Sequence, residues 1–142
     1  MEIPAATGYA AAVPRRHAIL DDNQRILEER LDDLRRVVPE LVAGRMCAAM
    51  VIGSVAEGRA RDESDIDLVL VLRHGTPERA DYEWWETAVR PRLGEGRFPV
   101  QPVIVGRDAL GTTEPNLRRA LDIGMVVWDP EGLFHDQPEA RT

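Results

Sequence analysis

The sequence predicts a domain of the α+β class, because helical and strand patterns alternate along a chain of 142 residues. Apolar residues recur at helical spacing from Ile19 to Leu41, with charged residues at the other positions. Met46 to Ile52 is an unbroken apolar run that is too short for a typical buried helix, which indicates a strand covered on both faces. Asp65 to Leu72, rich in Val, Leu and Ile, predicts a second strand.

Prolines set the expected limits of several elements. Asp21 or Asp22 is a suitable N-cap for the first helix, and Pro39 is expected to end or kink it. Pro99 and Pro102 argue against a central position for the third strand. Beyond the second strand, the pattern predicts helices over 78–93 and 114–122 and strands over 98–105 and 125–128.

Composition excludes several classes of protein. The net charge of −7 counts against binding nucleic acid mainly through its phosphates. The single Cys47 leaves no internal disulfide and no basis for a cysteine-rich zinc site. No apolar run approaches the roughly 18 residues that span a bilayer, and the first residues lack the pattern of a secretory signal. We therefore expect a single-domain cytoplasmic protein that contacts no membrane.

Two carboxylates stand at the start of the second predicted strand. Because side chains alternate along a strand, Asp65 and Asp67 project from the same face. Neighbouring carboxylates repel each other unless they share a proton or bind a hard dication such as Mg²⁺, which usually also holds substrate phosphates. The pair alone is equally typical of two solvated aspartates at the rim of a sheet.

A Gly-Ser pair follows the first predicted strand. Gly53 lets the backbone approach a ligand without a Cβ in the way, and the N–H groups of the following turn can point at phosphate oxygens. The Ser54 hydroxyl can donate one more hydrogen bond. Alone, this pair is typical of a simple strand-ending turn. Together with Asp65 and Asp67, it predicts a polyphosphate site beside a metal site.

These residues carry a resemblance to a known family. Ile52-Gly53-Ser54, ten intervening residues and Asp65-Ile66-Asp67-Leu68 match the signature of the DNA polymerase β-like nucleotidyltransferase superfamily. The stretch GSVAEGRARDESDIDLVLVL resembles its minimal nucleotidyltransferase branch, which typically reads GS, any residue, ARG and then SDIDL. The resemblance implies a nucleotidyltransferase fold, with a small mixed β-sheet and helices packed mainly on one face. It divides the chain into a flexible N-terminal arm at 1–18, the nucleotidyltransferase domain at 19–129 and a polar tail at 130–142.

The resemblance also implies an activity. That activity is metal-dependent transfer of a nucleoside monophosphate from an NTP, with AMP from ATP as the first choice, to a hydroxyl acceptor. Asp65 and Asp67 would be the catalytic residues and would hold Mg²⁺. The nucleotide-binding residues that it implies are Gly53, Ser54, Ser64 and Arg59.

The sequence departs from the family pattern at the third carboxylate. Members commonly carry another aspartate on the next core strand, where alignment places Gln101. A glutamine amide ligates a metal weakly and takes no proton at neutral pH. Asp108 follows that strand and Glu95 precedes it, so neither is assigned the missing role.

A second departure lies in the turn after Ser54. Glu57 stands where the branch usually has arginine. Arg59 or Arg61 could supply the lost positive charge. An acidic side chain beside a triphosphate is unfavourable unless it points away.

Two classes of function follow. The first is an enzyme, a nucleotidyltransferase with a protein hydroxyl as its acceptor. Aminoglycoside-modifying relatives usually carry an added domain that is not evident here. Many members of the minimal branch are antitoxins that adenylylate a tyrosine on a HEPN-type toxin, so such a toxin is the expected partner. The alternative is a catalytically impaired NTP-binding or partner-binding protein, a pseudoenzyme antitoxin, because Gln101 replaces the third carboxylate.

Overall fold

The fold is a four-stranded sheet with helices on both faces, as seen in a computed structural model. The structure describes residues 12–94 and 96–134, and it describes side chains from residue 22 onward. This architecture confirms the predicted α+β class. The elements are α1 (Ala12–Val42), β1 (Met46–Ile52), β2 (Ile66–Leu72), α2 (Arg79–Trp84), α3 (Arg90–Leu93), β3 (Val100–Val105), α4 (Pro115–Asp122) and β4 (Met125–Trp128).

The sheet is mixed, with the strand order β3-β2-β1-β4. β1 pairs antiparallel with β2 and β4, whereas β2 pairs parallel with β3. The two central strands are buried almost throughout, as their apolar runs predicted. β3 lies at an edge, which confirms the inference from its prolines, and its Ile104 N–H donates to the Tyr82 hydroxyl at 3.0 Å.

Two apolar clusters cover the two faces of the sheet. One face packs against α1 and the helical segment that runs from α2 to α3. The other packs against α4, a short 3₁₀ turn and the residues after β4. The first cluster includes Leu34, Val38, Trp85 and Val89, and the second includes Val69, Val71, Leu121 and Phe134. The larger helices therefore lie on one face, in agreement with the resemblance.

The first helix is longer than its apolar pattern predicted. It begins at Ala12 rather than near residue 19, so Asp21 and Asp22 are not its N-cap. Helix therefore covers residues 12–18 of the predicted arm, while residues 1–11 lie outside the described residues. The helix also continues past Pro39 to Val42, because the buried Val38 and Val42 hold its last turn against the sheet.

The end of the packed region also differs from the predicted end of the domain. The described chain packs beyond the predicted domain end at 129, since Phe134 is buried in the second cluster and its N–H donates to Asp129 Oδ2 at 3.0 Å.

A π-helical turn, Trp85–Val89, separates α2 from α3. This turn precedes Pro91. In a regular α-helix a proline has no N–H to donate, and its ring would clash with the carbonyl four residues earlier. Within the described ranges, no helix is long and apolar enough to cross a membrane.

A buried carboxylate ties α2 to the start of β1. Asp81 is 7% exposed. Its Oδ2 accepts from the Glu78 N–H at 2.8 Å, and its Oδ1 accepts from Arg45 Nη1 at 2.8 Å. The Arg45 guanidinium also lies over the Trp84 ring, 5.0 Å from its centroid. One side chain thus caps the helix and pairs with an exposed arginine.

We expect Asp81→Ala to lower the free energy of unfolding by about 2 kcal/mol, because it removes a helix cap and leaves Arg45 unpaired. Glu83→Ala is the matched control, since Glu83 forms only an exposed ion pair with Arg79 and should change stability by less than about 0.5 kcal/mol. Urea unfolding of both variants measures the difference. Equal stabilities for the two variants would contradict the role given to Asp81.

Candidate active site

The turn after β1 brings the backbone against a carboxylate. Gly53 has a φ of +81°, and a Cβ built there would lie 2.8 Å from Asp67 Oδ2. Both facts require glycine, because L side chains rarely adopt this φ and the space is taken. The sequence predicted that another group would come close to the backbone at Gly53. Within the chain, that group is the carboxylate oxygen of Asp67.

Residues 53–59 form a tight helical turn. The Glu57 N–H donates to Gly53 O at 3.0 Å, and the Arg59 N–H donates to Ser54 O at 2.8 Å. Val55 is buried in the first core cluster and anchors the turn. In the described part of the chain, the N–H groups of Ser54 and Ala56 donate to no backbone carbonyl. They are available to an anion beside Gly53.

The two predicted metal ligands lie at the start of β2. Asp67 is half-buried in the strand, whereas Asp65 is exposed and comes just before it. Burial raises the pKa of Asp67 above its ordinary value, and the charge of Asp65 raises it further. The structure therefore brings the two carboxylates close enough to repel each other, at the end of the sheet where Gly53 lies.

Gln101 occupies the neighbouring position on β3. It pairs in register with Asp67 on the parallel strand, and it is half-buried. Alternation places it on the same face as Val103 and Val105, which pack with the second cluster. Asp67 is on that face too, two residues before Val69. An amide thus stands beside the carboxylate pair.

Asp108 does not fill the third position. Asp108 lies in the 3₁₀ turn after β3, beyond the end of the strand opposite Gln101. Glu95 lies outside the described residues. Among the residues that the structure describes, no group of three His, Cys, Asp or Glu side chains is placed to hold a metal ion. Carboxylate chemistry at this site therefore depends on Asp65 and Asp67.

The other predicted nucleotide-binding side chains have partners within the chain. Ser64 Oγ accepts from the Arg61 N–H at 2.7 Å, and the Ser64 N–H returns a bond to Arg61 O at 3.0 Å. Ser64 therefore shapes the loop that leads into Asp65. Arg59 Nη2 donates to Glu57 Oε1 at 2.8 Å.

No local pattern in the sequence indicates a further cation at this end of the sheet. Arg119 on α4 reaches the same oxygen, with Nη1 3.6 Å from Glu57 Oε1. The guanidinium of Arg59, followed by that of Arg119, holds the pKa of Glu57 below its ordinary value. The acidic residue that departs from the branch pattern is thus neutralised by two arginines.

A separate groove runs along α1. It has a volume of about 1040 Å³ and lies between α1 and residues 55–63. Leu27, Leu31 and Phe98 are among its apolar lining. Asp65 and Asp67 do not line it, so the groove and the carboxylate site are different features of the surface.

The oxygen donors fit the metal that the resemblance implies. Mg²⁺ is usually bound through one or two carboxylates, with waters and phosphates as its other ligands. Asp65 and Asp67 would provide the carboxylates, and the amide oxygen of Gln101, in register with Asp67, would be a weak third donor. Binding of a dication would relieve the mutual repulsion of the two carboxylates.

Comparison with known proteins identifies the family. The nucleotidyltransferase domain profile matches residues 31–107, which is more than half of the chain. A crystal structure of a candidate nucleotidyltransferase from Sulfolobus solfataricus aligns with a TM-score of 0.50 and 20% identity, over 77% of this chain and 88% of that one. Identity at that level supports the fold alone. No curated protein sequence matches the chain. The matched segment contains Gly53, Asp65, Asp67 and Gln101, and the chain belongs to the nucleotidyltransferase domain family.

Proposed function

We propose that this protein transfers a nucleoside monophosphate, AMP from ATP, to a hydroxyl group of a partner protein. Family membership supports nucleotidyl transfer in general. The observation that carries the proposal is the contact of Gly53 with Asp67, which joins the anion-accessible turn to the carboxylate pair. That arrangement is what a metal–triphosphate complex requires, because phosphates and carboxylates must share one dication.

Each part of the site has a task in this reaction. The turn amides and the Ser54 hydroxyl hold and orient the triphosphate, while Asp65 and Asp67 hold Mg²⁺. When bound, Mg²⁺ would neutralise negative charge on the reacting phosphate. The acceptor oxygen forms a bond to the α-phosphorus as the bond to pyrophosphate breaks. Gln101 cannot take the proton of the acceptor hydroxyl, so that proton passes to water or to a basic group of the acceptor or of a partner protein.

The acceptor follows from the resemblance to antitoxins of the minimal branch. A tyrosine hydroxyl of a HEPN-type toxin is the proposed target. Incubation of the protein with α-labelled ATP, Mg²⁺ and the protein encoded by the adjacent gene tests this choice. Covalent label on the partner supports it, and label on neither protein counts against transfer.

A second candidate function is supported by Gln101. Because an amide stands in register with Asp67, the site is short of one carboxylate and of one proton acceptor. A protein with this site can bind NTP or a partner and transfer little. Formation of a stable complex with the partner without label would favour this impaired binder over the enzyme.

The first prediction for the site concerns the carboxylate pair. Asp65→Asn with Asp67→Asn should abolish Mg²⁺-enhanced ATP binding, because both charged ligands are lost. Isothermal titration with and without Mg²⁺ measures this loss. Asp32→Asn with Asp33→Asn is the matched control, since it removes two charges from exposed ion pairs on α1. Unchanged affinity in a folded Asp65/Asp67 variant would refute the metal site.

The pH dependence of stability gives a second prediction. A carboxyl whose pKa is raised in the folded protein favours folding at low pH, and that contribution is lost as pH rises through the folded pKa. Without metal, Asp67→Asn should therefore be more stable than the parent protein at pH 7. The difference should shrink as pH falls towards the ordinary value of 3.8. Urea unfolding in EDTA between about pH 3.5 and 7.5 tests this, and a less stable Asp67→Asn at pH 7 contradicts it.

The third prediction concerns the amide beside Asp67. Gln101→Asp should tighten Mg²⁺ binding, because a third carboxylate adds attraction for a dication. If proton removal limits transfer, the rate should also rise, by roughly 10²–10⁴-fold for a general base. Metal titration without any acceptor separates the two effects. Unchanged metal binding in a folded variant would show that Gln101 does not face the site.

A further inference from the structure

Three charged side chains converge at the end of the turn that follows Gly53. Glu57 Oε1 accepts from Arg59 Nε at 3.2 Å and from Arg59 Nη2 at 2.8 Å. Arg119 Nη1 lies 3.6 Å from the same oxygen. Two guanidinium groups, from different elements of the fold, therefore face one oxygen atom. We call these three residues the Glu57 triad.

The triad adjoins the carboxylate site through the backbone. The Glu57 N–H donates to Gly53 O, and Asp67 Oδ2 occupies the position where a side chain at Gly53 would begin. Arg119 comes from α4, which packs on the same face of the sheet as Val69 and hence as Asp67. The triad and the carboxylates thus lie at one end of the sheet.

The exposure of the three side chains indicates that the triad does little for folding. The Glu57 side chain is only 14% exposed, whereas Arg59 and Arg119 are 64% and 69% exposed. The cations turn outward, and the carboxylate fills the space between them. Both guanidinium groups are open to solvent, which screens their pairing with the carboxylate, so an incoming anion can take the place of the carboxylate beside them.

We infer that Arg59 and Arg119 bind the triphosphate of the nucleotide, and that Glu57 occupies their anion position until the nucleotide arrives. This inference rests on the proposed function. An NTP brings more negative charge than one carboxylate, and guanidinium groups pair with phosphate oxygens through paired N–H donors. Glu57 is then an internal competitor, which weakens nucleotide binding and discriminates against ligands with fewer phosphates.

Titration of Mg²⁺-ATP into four proteins tests the inference. Arg119→Gln should raise the Kd roughly tenfold, as expected for the loss of one charge-assisted hydrogen bond. Glu57→Gln should lower the Kd roughly two- to fivefold, because the competing charge is removed. Arg79→Gln is the control, since Arg79 forms an exposed ion pair with Glu83 on α2. The fourth protein is the unmodified chain, and circular dichroism checks that each variant is folded.

The outcomes separate this inference from the proposed function. An unmodified chain that binds no Mg²⁺-ATP overturns both. Normal binding by the unmodified chain, with Arg119→Gln indistinguishable from Arg79→Gln, overturns the triad alone. Weaker binding in folded Glu57→Gln also overturns it, because the carboxylate would then be positioning the arginines rather than competing for them. Recovery of affinity in a fifth protein, Arg119→Lys, relative to Arg119→Gln, would support a role for the positive charge.

Discussion

The antiparallel pairing of β1 with β2 is the interaction on which the rest of the structure depends. Both strands are apolar on both faces, so they occupy the centre of the sheet and leave the edges to β3 and β4. Their register sets Ile52 opposite Asp67. The chain must leave β1 directly beside that carboxylate, and the turn at Gly53 follows from this requirement. A shift of one residue would reverse the faces and separate the turn from the acid.

The two faces of the sheet have different tasks. One is covered by α1 and by the helices before β3, and it supplies most of the apolar burial. The other is covered by smaller elements and by α4, and it continues outward from Val69 to Asp67. The candidate site thus lies on the face where the covering layer is thinner. The position of β3 at the edge extends this face by one strand and adds Gln101 to it.

The strands and the site signature could be predicted from sequence because their physical causes are local. An unbroken apolar run identifies β1, and the spacing from Gly53 to Asp67 is a property of one short segment. The start of α1 was missed because apolar periodicity marks the packed part of a helix and not its full length. Arg119 was missed for another reason. Its contact with Glu57 depends on how α4 packs, and a tertiary contact between distant segments leaves no mark on the local pattern.

The contact of Gly53 with Asp67 also determines how freely this turn can vary in sequence. Gly58, in the same turn, has a φ of +75°, but a Cβ there would meet nothing within 4 Å. Asparagine or aspartate, which tolerate left-handed backbone, can therefore replace Gly58 with modest strain. At Gly53 any side chain must displace Asp67 Oδ2 as well. On steric grounds the second glycine of this turn can therefore be replaced, whereas the first cannot be replaced without moving Asp67.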